Sequence, residues 1–245
     1  MTGNFAAILG SALAAAVAVA ALGSAIGMPA LPEPLAVLDQ RLPGIFKVHM
    51  TASALALMLL PLILLLRHRR SPHRLVGRVG AVLLLVGAVT SLPTALQSEA
   101  VPLARAGFFV QGLLCLVFLI GAVKAIREHN IRRHAQLMMR VSALVFGAVV
   151  LRIMMAVTMK SGLPFDPTYA AVAWISWVLP LIGVSLWLRR NDLRVGASPV
   201  VTLSPFFKLS DCLERFSTPS AALWLIMALT GAYYDWPAAP LRTFR

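Results

Sequence analysis

Charged side chains are scarce in this chain of 245 residues. Asp, Glu, Lys and Arg make up only 13% of it, whereas soluble domains carry about 25%. Too few polar side chains are therefore present to coat a water-exposed surface, which excludes a soluble α/β enzyme of ordinary composition. The apolar fraction of 59% also excludes disorder, because disordered chains are poor in residues that can be buried.

Acidic residues and cysteines are scarcer still. Nine acidic residues stand against 22 Lys and Arg, which gives a formal net charge of +13. A nucleic-acid-binding protein gathers such charge on one solvated face, but here the basic residues separate long apolar runs, so we expect no nucleic-acid partner. The two cysteines, Cys115 and Cys212, form no CxxC pair, and no disulfide or metal site is expected from them.

Long apolar runs, by contrast, are abundant. A membrane-spanning helix needs about 20 mostly apolar residues, because only a helix satisfies its own backbone hydrogen bonds in hydrocarbon. The sequence predicts an all-α polytopic membrane protein, a bundle of about seven transmembrane helices in a single membrane domain. The predicted spans are 5–27, 46–66, 75–96, 107–126, 137–159, 169–188 and 220–234, with a four-helix core unit at 46–159 in the domain 1–245. Residues 205–216 have apolar residues at helical spacing opposite charged ones, which predicts an amphipathic helix on the cytoplasmic membrane surface.

The basic residues are divided unequally between the two sides of this topology. Fifteen of the 22 fall on the side that follows the second, fourth and sixth spans, six fall on the other side, and Arg152 lies inside the fifth span. Lys and Arg are enriched in cytoplasmic connections. We therefore expect the N-terminus and the basic connections to face the cytoplasm. Because most of the chain is expected to span the membrane, the lipid bilayer is its expected main partner.

Two histidines near the basic side are candidate cofactor ligands. His73 precedes the third predicted span and His134 the fifth, at the same membrane face. Imidazoles from two helices at one depth can ligate a haem b, and the arginines Arg78 and Arg140 could then pair its propionates. Both histidines precede their apolar runs, however, so contact with water or lipid headgroups is the alternative interpretation.

Arg152 is the strongest single functional signal. It lies between apolar triplets about two turns from the outer end of the fifth span, and an unpaired arginine at the centre of a span costs about 2.5–3.5 kcal/mol. A partner is expected, either a loop carboxylate (Glu33, Asp39, Glu99 or Asp166) or a ligand such as a quinone carbonyl, a haem propionate or a lipid phosphate.

His49 and Gln111 lie about one turn inside the outer ends of the second and fourth spans. Together with Arg152 they predict an outer polar pocket that could bind a quinone headgroup. The same three side chains could instead hold helices together, since polar contacts between transmembrane helices average about 0.6 kcal/mol each.

Several of these residues also form an ordered series of motifs. His49 is followed by His73-Arg74-x-x-Gly77-Arg78, then by Gly107-Phe108, then by Arg127, His134, Met138 and Arg140, and finally by Leu151-Arg152. The order and spacing resemble the bacterial membrane-protein family catalogued as domain of unknown function 2306, over residues 46–155, although Leu137 stands where that family often has an aromatic residue. The resemblance implies a multi-pass protein of the bacterial inner membrane and leaves the reaction open.

Three functions remain open from the sequence. The first is a redox or haem-handling protein, which the distant likeness of the histidine layout to transmembrane b-type cytochromes favours as a fold-level analogy. The second is a non-catalytic accessory or assembly subunit of a larger membrane complex, respiratory or photosynthetic, in contact with other subunits. The third is a small-molecule transporter, which is disfavoured because no span carries a carboxylate and no broken-helix repeat is visible.

Overall fold

A computed structural model describes the backbone of residues 2–26, 31 and 33–196, and the side chains of residues 10–26, 31 and 33–190. The predicted surface helix at 205–216 and the predicted span at 220–234 lie outside these residues. The described part is all-helical, and five of its helices are long and apolar enough to cross a membrane. The chain is thus an integral membrane protein of helical type.

Seven α-helices make up the described residues. They are α1 (Thr2–Ala25), α2 (Glu33–Arg41), α3 (Ile45–Leu65), α4 (Arg70–Gln97), α5 (Pro102–Arg127), α6 (Ile131–Thr158) and α7 (Phe165–Gly196), with a 3-10 turn at Leu66–His68 between α3 and α4. The five helices of spanning length are α3 to α7, and α1 contributes a shorter apolar stretch at Gly10–Ala25.

Helices α4 to α7 all begin four to six residues earlier than the hydropathy predicted, and at α4 and α6 this changes the position of two candidate residues. α4 begins at Arg70 and α6 at Ile131, so His73 and His134 are not in connecting loops, as the sequence suggested, but are each the fourth residue of a helix. Hydropathy measures how well a residue suits lipid, whereas a helix continues wherever its backbone hydrogen bonds do, including through charged residues beyond the membrane. The Asn130 side chain caps α6 by accepting a hydrogen bond from the Arg133 amide at 3.0 Å.

Short connections make consecutive helices antiparallel. α3 and α4 form one closely packed hairpin and α5 and α6 form another, α7 packs against α5 and α6, and α1 packs against α3 and α6. The bundle therefore has an α2 end, which holds α2 and the α4–α5 and α6–α7 connections. At the opposite, arginine-rich end lie the α3–α4 and α5–α6 connections.

Helix α2 is held at the α2 end by a buried leucine and by two ion pairs, of which the one made by Arg41 reaches the end of α4. Leu38 is buried, and the Arg41 guanidinium donates to the Gln97 carbonyl at 3.2 Å and pairs with the Glu99 carboxylate at 2.7 Å. The connection from α2 to α3 turns at Gly44, whose φ of 85° is a left-handed conformation that favours glycine.

The centre of the bundle is apolar and close-packed. Side chains from five helices meet there, including those of Ala56, Leu84, Leu119, Leu144 and Trp177. Large apolar side chains are also exposed on the outer surface of the bundle, for example along α4 at Val82 and Val89. Apolar groups on both the inside and the outside are the distribution expected when the surrounding solvent is lipid.

Helix α7 docks through tryptophans that lie on glycines. A Cβ atom built on Gly107 of α5 would come within 3.0 Å of the Trp174 indole, and one built on Gly147 of α6 would come within 2.9 Å of the Trp177 Cβ. The Trp174 indole N–H also donates to the Leu103 carbonyl at 2.9 Å. Small residues at such positions let transmembrane helices approach closely.

Candidate functional site

Three histidines share one geometry. The Nδ1 atom of His49 lies 2.9 Å from the Gly87 carbonyl oxygen, that of His73 lies 3.1 Å from the Ile63 oxygen, and that of His134 lies 3.0 Å from the Ala122 oxygen. A carbonyl oxygen can only accept a hydrogen bond, so each Nδ1 carries the proton. In the neutral ring the Nε2 lone pair then remains available to a ligand.

His73 and His134 each bind a carbonyl within their own hairpin. His73 of α4 reaches back to α3, and His134 of α6 reaches back to α5. Arg78 is exposed, and Arg140 donates to the Gln136 carbonyl of its own helix at 3.3 Å.

At the other end of the bundle, His49 lies among hydroxyl groups. The Ser53 and Thr90 hydroxyl oxygens are each 3.5 Å from its Nδ1 atom. Thr90 itself donates to the Val86 carbonyl of its own helix at 2.6 Å. The His49 ring is thereby held between α3 and α4 with its Nε2 edge turned away from the Gly87 carbonyl.

Arg152 lies within electrostatic range of both His49 and Tyr169. Its guanidinium donates to the Ala148 carbonyl of its own helix at 3.0 Å, and its side chain is exposed on the surface of the bundle. No ion pair joins Arg152 to any carboxylate whose side chain the structure describes. We refer to His49, Arg152 and Tyr169 as the polar cluster.

The loop carboxylates that the sequence offered to Arg152 are placed elsewhere. Glu99 pairs with Arg41 at 2.7 Å and Asp39 with Lys47 at 3.3 Å, while Glu33 and Asp166 are exposed. Of the two kinds of partner expected for Arg152, the described residues therefore do not supply the protein carboxylate.

Gln111, the third residue expected at the outer pocket, serves a different contact. Its side-chain amide donates to the Leu144 carbonyl at 2.8 Å and so joins α5 to α6. Leu144 precedes Arg152 by two turns of α6, which is about 12 Å along the helix axis. This geometry matches the alternative interpretation, in which Gln111 holds helices together.

Tyr169 was missed by the sequence analysis. Its ring stacks on Phe165 with centroids 5.4 Å apart and packs at a tilt against Phe108 at 5.9 Å. Two aromatic residues spaced by four at the start of a span were the available signal, but they are also typical of the aromatic belt at a membrane interface. Only the packing of α7 against α5 and α6 brings Tyr169 within electrostatic range of Arg152.

Comparison with known proteins supports the sequence resemblance. A family model described as "Predicted membrane protein (DUF2306)" matches residues 46–188. The match covers more than half of the chain and includes α7 up to Leu188, beyond the stretch that carried the motifs. No curated protein and no solved structure matches the chain.

Proposed function

The chain belongs to the DUF2306 family of predicted membrane proteins, and we propose that it binds a membrane quinone at the polar cluster as part of a redox role. Arg152 carries this proposal. It is a cation within a span, and the described side chains give it no carboxylate. An acceptor oxygen on a ligand would offset the cost of placing that charge in the membrane.

The chemistry of the cluster favours a quinone over a phosphate. Arg152 donates hydrogen bonds, whereas neutral His49, with its Nδ1 proton given to Gly87, presents a lone pair at Nε2. A half-reduced or fully reduced quinone offers both an acceptor oxygen and a hydroxyl donor, so it can satisfy both side chains. A phosphate diester offers only acceptors, and the aromatic rings of Tyr169, Phe165 and Phe108 suit a flat carbonyl ring.

The test is quinone retention during purification in mild detergent, measured by solvent extraction and chromatography. We expect the native protein to retain quinone. In Arg152→Gln the amount of retained quinone should fall at least about tenfold, since a hydrogen bond to a charged group contributes about 1.5–3 kcal/mol. His49→Asn keeps a donor at the δ position but lacks Nε2, so it should lose quinone while staying folded. Arg70→Gln, an exposed arginine at the other end of the bundle, is the matched control.

Equal retention by the native protein and Arg152→Gln would overturn the proposal. Lipid phosphorus that is retained in place of quinone and lost in Arg152→Gln would assign the cluster to a phospholipid. A quinone-free protein that co-purifies with other membrane subunits would instead support the accessory-subunit function.

A second candidate function is haem b binding at the arginine-rich end. It is favoured by the Nδ1 hydrogen bonds of His73 and His134, because a metal-ligating histidine donates its other N–H in this way. The donor chemistry fits, and Arg78 and Arg140 would face the propionates, where a bound haem would supply one-electron transfer. A Soret band in the reduced protein, lost in His73→Asn, supports this function, and no band after addition of haem excludes it.

The proposed topology has seven spans in one domain, with the arginine-rich end and the N-terminus in the bacterial cytoplasm. It follows from the excess of basic residues at that end. Cysteines introduced one at a time at Arg69 and Ser161, after Cys212 is replaced by Ser, test it, since the remaining Cys115 is buried. We expect a membrane-impermeant thiol reagent to label only the Ser161 position in intact cells, and the reverse pattern would invert the orientation.

A further inference from the structure

Three arginines form a stripe along the first turns of α4. Arg70, Arg74 and Arg78 are spaced by four residues, so they lie on one side of the helix, one turn apart, over about 12 Å. All three are exposed, and the next position of the same spacing is the exposed Val82. The outer face of α4 thus changes from basic to apolar between Arg78 and Val82, as is expected where a helix enters the hydrocarbon layer. We refer to the three residues as the arginine stripe.

The arginine stripe has no anion to balance it among the residues that the structure describes. Its guanidinium groups make no ion pair there. The one acidic residue described at this end of the bundle is Glu128, which pairs with Lys124 of α5 at 3.8 Å. Helix α4 also begins without an acid in its first turn and without a side-chain cap. Like charges spaced by four residues repel, and cations near a helix N-terminus are disfavoured. An external anion would therefore stabilise this end of α4.

We infer that the arginine stripe binds cardiolipin, an anionic phospholipid whose two phosphates are joined through one glycerol. Three arginines one turn apart leave two gaps between them, and a phosphate in each gap would meet two guanidinium groups. The planar guanidinium fork suits phosphate oxygens. The acyl chains would extend from Arg78 along Val82, Leu85 and Val89, which are exposed on the same outer face of α4.

The number of charges favours cardiolipin over lipids with one phosphate. Phosphatidylglycerol would fill one gap only, so two molecules would have to be ordered on the stripe, each at its own entropic cost. Phosphatidylethanolamine has no net charge, and its ammonium would repel the arginines. One cardiolipin molecule brings both phosphates and loses its freedom of motion once.

This inference rests on neither of the functions proposed above. The arginine stripe lies at the opposite end of the bundle from the polar cluster. Haem binding would involve Arg78 but neither Arg70 nor Arg74. Loss of cardiolipin in Arg74→Gln, with quinone content and any Soret band unchanged, would therefore separate the lipid site from both.

The experiment is native mass spectrometry of the delipidated full chain, titrated separately with cardiolipin and phosphatidylglycerol at equal phosphate concentration. The native protein should retain cardiolipin about tenfold better, the value expected for one further hydrogen bond to a charged group. Arg70→Gln and Arg78→Gln should each lower cardiolipin retention about fivefold, as expected for one arginine near an anionic headgroup. Arg74→Gln should lower it more than about tenfold, because only the middle arginine meets both phosphates. Arg74→Lys keeps the charge without the fork and should give an intermediate loss.

Arg127→Gln is the matched control, because Arg127 is an exposed arginine of α5 at the same end of the bundle. Its cardiolipin retention should equal that of the native protein. Equal retention of the two lipids by the native protein would overturn the inference. Equal losses in Arg127→Gln and Arg74→Gln would also overturn it, since they would show a diffuse attraction to the whole basic end.

Thermal unfolding gives a second readout that does not depend on the mass spectrometer. Without lipid, Arg74→Gln should unfold at the same temperature as the native protein, because the exposed side chain makes no contact that folding needs. Added cardiolipin should raise the unfolding midpoint of the native protein and of Arg127→Gln, but not that of Arg74→Gln. A rise of equal size in all three proteins would contradict the site.

Discussion

In each of the two helical hairpins, α3–α4 and α5–α6, side-chain hydrogen bonds hold the two helices together. The two hairpins use the same residue type at one end of the bundle and different residue types at the other. At the arginine-rich end, the fourth residue of the second helix is a histidine that donates to a carbonyl of the first helix, His73 in one hairpin and His134 in the other. At the α2 end the α3–α4 hairpin uses His49, whereas the α5–α6 hairpin uses Gln111.

This difference shows which side chains are needed to hold two helices together and which are not. Because a glutamine fastens α5 to α6, a histidine is not needed merely to join two helices in this half of the bundle. Of these two side chains, only that of His49 adds a ring nitrogen beyond the helix contact, and it lies within electrostatic range of Arg152. For His73 and His134 at the arginine-rich end, the hydrogen bond to the facing helix is by itself a sufficient structural reason.

The largest effect is expected where the α5–α6 hairpin meets α7. A Cβ added at Gly147 would meet the Trp177 Cβ at 2.9 Å and the Gln111 amide at 3.1 Å, whereas one added at Gly77 of the α3–α4 hairpin meets nothing within 4 Å. Gly147→Ala should therefore destabilise the protein by about 1–3 kcal/mol. Gly77→Ala should be neutral or gain up to about 1 kcal/mol. Thermal unfolding in detergent measures both, and similar midpoints would show that α7 does not pack as described.

At the arginine-rich end, a smaller loss of stability should distinguish histidines that only join two helices from histidines that also bind a ligand. His73→Ala and His134→Ala each remove one donor and should cost about 0.5–1.5 kcal/mol. His73→Asn and His134→Asn keep a donor at the δ position and should restore most of that stability. If the Asn variants are as unstable as the Ala variants, the Nε2 atoms contribute, and the haem function gains support from the same measurement.

The smallest effect is expected for Gln111→Met. The substitution removes the hydrogen bond to Leu144 and keeps the side-chain volume, so the loss should be about 0.6 kcal/mol, the average for polar contacts between transmembrane helices. Quinone retention should not change. A quinone loss as large as that of Arg152→Gln would place Gln111 in the pocket after all and remove the contrast with His49.

Composition and hydropathy were sufficient to predict an all-helical membrane protein, and the motifs that contain His49, His73 and Arg152 were sufficient to identify the family. Helix ends were less predictable, because the arginines before Leu75 and Leu137 suit water while their backbone remains helical. That Arg152 and His49 lie within electrostatic range of each other agrees with the similar depth that the sequence indicates for them. That Tyr169 lies within electrostatic range of Arg152 depends on how α6 and α7 are rotated, which spacing along the chain does not determine.

The hydrogen bonds of His73 and His134 have a consequence for how the protein folds during membrane insertion. His73 reaches a carbonyl only 10 residues earlier and His134 one 12 residues earlier, whereas Trp174 must find Leu103 across 71 residues. Contacts between near neighbours in the chain can close first, since little chain must be ordered to form them. Each hairpin can thus set its register as its second helix leaves the translocon, and α7 then closes onto glycine surfaces already in place. Membrane insertion would then proceed in pairs of helices, and the α7 tryptophans would pack only after the α5–α6 pair had assembled.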